Sequence, residues 1–312
     1  MIILDAHCDT ITKIMEENEG LYKNNCHLDI KRLKESGSHV QFFAAFIDPE
    51  FCQAYAMKRA VQIIDRLYQE IEINKDAITL CLNYNDIEKT LNAGKTAAIL
   101  SIEGGDALQG ELSALRIFYR LGVRSICLTW NHRNEIADGV SDGISGGGLT
   151  PFGRKVIKEM NSLGMIVDVS HLSEKGFWDV IEVSEKPIIA SHSNAKKICS
   201  HKRNLTDEQI IALKDKGGVM GINLYPEFLE DSGKASLVDI IKNVEHISAL
   251  AGIECIGLGA DLDGVECLPD GINGVEDVYK IFNELRKMNY SEEQIEAIAA
   301  KNFLRVIKAV LL

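Results

Sequence analysis

Eight short apolar runs, each followed by a turn and then by a helical pattern, constrain this chain more than any other feature. They lie at 2–7, 40–47, 97–102, 124–129, 165–169, 187–191, 218–223 and 255–260. Several are continuous, as in Ile99-Leu-Ser-Ile102, Ile166-Val-Asp-Val169 and Ile188-Ile-Ala190. Such runs suit parallel strands buried on both faces. Helical spacing appears over 53–73, 112–120 and 152–163, and the tail from 275 to 311 reads as helical throughout. Thr206-Asp-Glu-Gln209 and Ser291-Glu-Glu-Gln294 have the form of capping boxes. Gly122, Gly164, Gly217 and Gly252 each fall between a helix and a strand, where a left-handed C-terminal cap belongs.

Eight strands alternating with helices predict a (β/α)8 TIM-type barrel, one domain over 1–312 with extra C-terminal helices. A doubly wound open sheet is the alternative. No Gly-x-Gly-x-x-Gly or phosphate-loop pattern follows any strand to support it. Gly146-Gly-Gly148 reads as a flexible loop.

The formal net charge of −12 disfavours a nucleic-acid or anionic-membrane partner, since both need a basic surface. The eight cysteines are scattered without a Cys-x-x-Cys pair, as expected of reduced thiols. Cys127 and Cys255 sit in apolar runs and read as core residues. No segment approaches the length of a membrane span and no leader pattern precedes the first strand, so the expectation is a cytoplasmic protein without a membrane anchor.

In a barrel enzyme the reacting groups come from the C-terminal ends of several strands. Here His7 and Asp9 follow the first run, Glu103 the third, Trp130 and Asn131 the fourth, His171 the fifth, His192 the sixth and Asp261 the eighth. Arg203 lies in the loop region after the sixth. His7-x-Asp9 puts two ligands on one side of an extended chain. The histidines after the fifth and sixth strands come from neighbours about 4.8 Å apart, and Glu103 is placed to bridge. Imidazole and carboxylate without thiolate suit Zn2+ or Mn2+ with water in the open positions. A lone strand-end histidine is more often a hydrogen-bonded rim residue than a ligand. Three of them with two acids on one barrel face favour the metal. For His27, His39, His201 and His246 the surface reading is preferred, and Cys8, between two ligands, points the other way.

The chain resembles the membrane (renal) dipeptidase family of zinc metallopeptidases, within the amidohydrolase-like barrels, as a bacterial-type member. The resemblance rests on Asp5-Ala-His7-Cys-Asp9-Thr10, Ile102-Glu103-Gly-Gly, Leu128-Thr-Trp-Asn131 and Gly148-Leu-Thr-Pro-Phe-Gly153. It continues through Asp168-Val-Ser-His171, Ser191-His192-Ser193, Lys202-Arg203-Asn204 and Gly259-Ala-Asp261-Leu-Asp263-Gly, in family order over essentially the whole chain. It implies two Zn2+ per chain, with Mn2+ or Co2+ as substitutes. One would be held by His7, Asp9 and Glu103, the other by Glu103, His171 and His192. It further implies a hydroxide held between the ions as nucleophile, Asp261 as proton carrier, Arg203 on the substrate carboxylate, a dipeptide as substrate and a homodimer. Asp263 reads as a structural acceptor in the same turn.

The sequence departs from that pattern at one place. Mammalian members carry a substrate-contacting histidine immediately after Leu-Thr, and Trp130 stands there instead. His132, two residues on, or Asn131 would have to take the role. Tyr225, ending Gly221-Ile-Asn-Leu-Tyr225, reads as a pocket wall or as plain packing. Two rival functions remain: hydrolysis of a lactone or N-acyl amino acid by the same metals, and a non-catalytic metal-binding protein.

Overall fold

The computed structural model describes residues 1–311, so Leu312 of the expected 1–312 domain lies outside it. Nine strands form one parallel sheet: β1 (Ile2–Asp5), β2 (Ser38–Phe46), β3 (Ile78–Leu80), β4 (Thr96–Glu103), β5 (Val123–Cys127), β6 (Ile166–Asp168), β7 (Ile189–Ser193), β8 (Val219–Ile222) and β9 (Ile256–Leu258). The order is β2-β1-β9-β8-β7-β6-β5-β4-β3, and β2 also pairs with β4. That last pairing closes eight strands into a (β/α)8 barrel, as the alternating pattern predicts. Each of the eight apolar runs overlaps one barrel strand, with the ends of β2, β4, β5 and β7 lying one or two residues outside the expected bounds. The ninth, β3, was not anticipated: it lies beside Thr96–Ala98, below the point where β5 joins β4 at Leu100.

Strand alternation divides the apolar residues into two layers. Leu4, Val40, Phe42, Ala97, Ile99, Ile189 and Val219 pack with Phe303, Val306 and Val310 at the N-terminal end of the barrel. The helix Asn302–Val310 therefore plugs the end opposite the strand tips. Residues of the other parity, such as Phe43, Leu100 and Val167, pack outward against the helices. Where β7, β8 and β9 meet there is no room for side chains. A Cβ at Gly221 or Gly259 would lie 2.1 Å or 1.7 Å from the Ser191 carbonyl oxygen.

Local signals account for the helix ends. Thr150 caps the helix Pro151–Leu163 by accepting from the Gly153 N–H at 3.0 Å, and Gly164 ends it in the left-handed region. The boxes at Thr206 and Ser291 both form. A third, Ser236 with Asp239, opens the helix Leu237–Ala251. The tail is less regular than its pattern suggests, with helices Tyr279–Lys287 and Asn302–Val310 separated by a turn at 288–291 and a π-helical turn. The glycine loop is also not the free segment expected. Buried Asp138 accepts from the N–H groups of Gly147 and Gly148 at 3.0 and 3.1 Å and binds Arg133 and Ser145 as well.

Candidate metal centre

Strand ends deliver all the expected ligand residues to one point. Glu103 is the last residue of β4 and His192 lies within β7. His7 and Asp9 follow β1, His171 follows β6 and Asp261 follows β9. All six are buried. His7 Nε2 lies 3.3 Å from Asp9 Oδ2, 3.3 Å from Glu103 Oε2 and 3.7 Å from Asp261 Oδ1. The other Glu103 oxygen, Oε1, lies 2.9 Å from His171 Nε2 and 3.3 Å from His192 Nε2. Three groups could each hold an ion: His7, Asp9 and Glu103; Glu103, His171 and His192; and His7, His192 and Asp261.

The hydrogen bonds around the histidines decide whether a cation fits. Ser191 donates its one hydroxyl proton to Asp168 Oδ2, so it must accept at His192 Nδ1, 2.7 Å away. Asn131 Oδ1 lies 2.9 Å from His171 Nδ1, and an amide oxygen can only accept. Both imidazoles thus carry hydrogen on Nδ1 and present bare Nε2 atoms, which face each other at 2.9 Å. Burial, with Arg203 adding to it, pushes the His171 imidazole down to about 3. Burial, then His7, holds His192 well below its usual range. Two bare nitrogens and a carboxylate oxygen converge with no proton among them. That donor set suits a divalent cation. Asp9 Oδ1, buried and without a hydrogen-bond partner, adds a free ligand atom on the other side.

Charges on the His7 side are strongly coupled. Burial opposes the charge on His7, yet Glu103 and Asp9 hold its imidazole well above the ordinary range. Burial also opposes the Glu103 carboxylate, which the three imidazoles nevertheless keep well below its usual value. Burial pushes Asp9 up to about 7 and raises Asp261. His171 and Asp261 both sit at positive φ, 64° and 60°. Such backbone is uncommon for residues other than glycine and clusters at functional sites. Asp261 is held there by its N–H donating to the His7 carbonyl and by Asn223 Nδ2 donating to Oδ2 at 2.9 Å. Asn223 was not among the expected residues. An asparagine one place beyond a strand end is too common in loops to single out.

Arg203 is buried beside this cluster. Its Nη2 donates to the His192 carbonyl at 3.0 Å, while Nε has no partner. Trp130 stands at the mouth, its ring 6.0 Å from that of His171 and 5.5 Å from that of Phe46. His132 does not turn inward: its side chain is 66% exposed and faces Asp142 at 3.6 Å. Asn131 is occupied with His171. Tyr225 packs edge-on against Phe228 with ring centroids 4.9 Å apart. Asp263 accepts from Thr10 Oγ1 and the His27 N–H, both at 2.6 Å, as befits a structural acceptor. Of the four histidines read as surface residues, His39 is instead buried, with Ser36 Oγ 3.0 Å from its Nε2. The hydroxyl satisfies the ring, which is why it can be covered.

Similarity to known proteins runs along the whole described chain. Residues 1–311 match the model of the membrane dipeptidase family, peptidase family M19. Dipeptidase tcpJ of Claviceps purpurea is 34% identical over 297 residues, covering 91% of this chain and 69% of that protein. Human Dipeptidase 3 is 31% identical over 294 residues, covering 90% of this chain and 58% of that protein. Among solved structures, the M19 metallopeptidase dipeptidase AC superposes with a TM-score of 0.92 at 26% identity, covering 100% of this chain and 99% of that one. The chain therefore belongs to the membrane dipeptidase family, peptidase family M19, and is a metallo-dipeptidase of that family.

Proposed function

We propose that the chain hydrolyses dipeptides with two zinc ions, one on His7, Asp9 and Glu103 and the other on Glu103, His171 and His192. The observation that carries this reading is the division of Glu103, whose Oε2 faces His7 while Oε1 faces His171 and His192. A carboxylate presenting a different oxygen to each of two donor sets suits a bridge. When bound, such ions would supply a Lewis acid for the peptide carbonyl and a water acidified towards a pKa of ~7.

The chain's own residues do the rest. Asp261 receives the proton of the attacking water at its carboxylate and returns it to the leaving amine, acting as base and then acid. Burial, which raises its pKa, suits it to hold that proton, and Asn223 keeps its second oxygen oriented. Arg203, with Nε unpaired, grips the free carboxylate of the substrate and so sets the scissile bond against the ligand cluster. Trp130 and Tyr225 are walls of the substrate site. The eight free cysteines support a reducing, cytoplasmic setting.

Metal analysis combined with a dipeptide panel tests this reading. The purified protein is expected to bind two ions per chain, to lose activity with a chelator and to regain it with Zn2+. Fewer than one ion per chain, or activity indifferent to the chelator, would overturn it. Arg203→Ala is expected to lower kcat/KM on dipeptides by about 100-fold or more, since the substrate carboxylate loses a buried charged partner. A neutral lactone substrate would not register that change.

A further inference from the structure

A cavity of about 240 Å³ opens beside the cluster on the Arg203 side, with His171, Arg203, Lys196, Lys202 and Glu174 in its wall. Three cations face it against one carboxylate. Lys202 Nζ donates to Ser141 Oγ at 3.0 Å. Among the described residues neither Lys196 nor Lys202 forms an ion pair with a carboxylate. Arg203 is 3% exposed and its Nε points to no partner. Two helices of nine or more residues begin in the same wall, Glu174–Val183 and Asp207–Asp215, capped by Ser173 and Thr206. The carboxylates of their first turns, Glu174 in one and Asp207 and Glu208 in the other, offset the positive helix ends, so the charge of the cavity wall rests on Arg203 and the lysines. One substrate main-chain carboxylate accounts for Arg203 and leaves the two lysines without a counter-charge.

We propose that this cavity receives the side-chain carboxylate of the substrate's C-terminal residue, so that the enzyme prefers dipeptides ending in aspartate or glutamate. The inference rests on the reading of Arg203 as the holder of the main-chain carboxylate. In such a residue the two carboxylates are separated by only two or three carbons, short enough for both to lie in one small cavity. Arg203 takes the first and Lys196 and Lys202 the second. Glu174, exposed at the helix start, leaves the wall with two net positive charges and repels the substrate only weakly across solvent.

Kinetics on Leu-Glu, Leu-Gln and Leu-Ala test the assignment, because glutamate and glutamine differ in charge but hardly in shape. With wild-type holoenzyme, kcat/KM for Leu-Glu should exceed that for Leu-Gln by about tenfold, mostly through KM, with half-buried Lys196 contributing more than exposed Lys202. The advantage should shrink when salt is raised to about 0.5 M. In the double variant K196Q/K202Q the Leu-Glu to Leu-Gln ratio should fall towards one. Equal wild-type values, or a ratio that survives the double substitution, would overturn the proposal. Calorimetric binding of glutarate against butyrate separates this inference from the reading beneath it. Absence of any dipeptide turnover sinks the proposed function, whereas glutarate binding no tighter than butyrate, or unaffected by K196Q/K202Q, sinks the cavity assignment whatever the turnover.

Discussion

An imidazole can ligate only through a nitrogen without hydrogen, so the groups that fix its tautomer matter as much as the ligand itself. At His192 that duty falls to Ser191, whose own proton is claimed by Asp168. At His171 it falls to Asn131. Trp130 stands against Phe46 and His171 where mammalian members carry a histidine, and its neighbour Asn131 is bound to the His171 imidazole, so neither side chain takes over that histidine's contact. Ser191→Ala removes the acceptor at His192 Nδ1 and frees the ring to adopt the tautomer that cannot ligate. Its affinity for metal should fall about 10- to 100-fold, the usual effect of losing such a partner. Competition with a chromophoric chelator measures this, and an unchanged affinity would mean that the tautomer is set by something other than Ser191.

At the scale of elements, legibility followed the length and contrast of each pattern. The eight barrel strands were readable because each carries a short apolar stretch feeding a turn. Three-residue β3 (Ile78–Leu80) is no shorter than β6 or β9, but it pairs along the start of β4 outside the closed barrel, where the eightfold rhythm left no place for it. The five proposed ligand residues were readable because each is polar and lies at the end of an apolar run or within two residues of it. Asn223, Ser191 and Asn131 act on those residues through hydrogen bonds that only the folded chain reveals. His39 shows the same limit. Its neighbours Ser36 and Val40 say nothing of burial, yet it shares the parity of Phe43 on the outward, helix-packed face of β2 and is covered. Burial pushes its imidazole down to about 4 from an ordinary value of 6.5. The fold therefore favours the neutral ring, and its contribution is complete above pH 6.5, where the unfolded ring is neutral too. It is lost as the pH falls from 6.5 to about 4. The difference amounts to roughly 3 kcal/mol. Urea unfolding of wild type and His39→Gln across that window should show the variant less sensitive to acid by about this amount. Parallel curves would mean that His39 protonates in the fold without penalty.

For the whole molecule, the barrel gathers its hardest electrostatic burden at one end and seals the other with apolar side chains. Asp9, Glu103 and Asp261 all lie within 3.7 Å of His7, in a chain whose net charge is already −12. Buried carboxylates this close destabilise a fold unless cations offset them. In the proposed centre two divalent ions do so, and because the unfolded chain cannot assemble the ligands, their binding stabilises the native state by linkage. At a free metal concentration of 100 Kd the gain is about 2.7 kcal/mol per site. At about 2 °C per kcal/mol for a domain of this size, stripping both ions should lower Tm by roughly 10 °C. The helix content seen by far-UV circular dichroism should survive, since the apolar end of the barrel holds no ligand. Restoring metal should bring Tm back in proportion to the logarithm of its concentration. A Tm indifferent to chelation would mean that the carboxylates are compensated by protonation of their own neighbours, and the binuclear centre would lose its thermodynamic support.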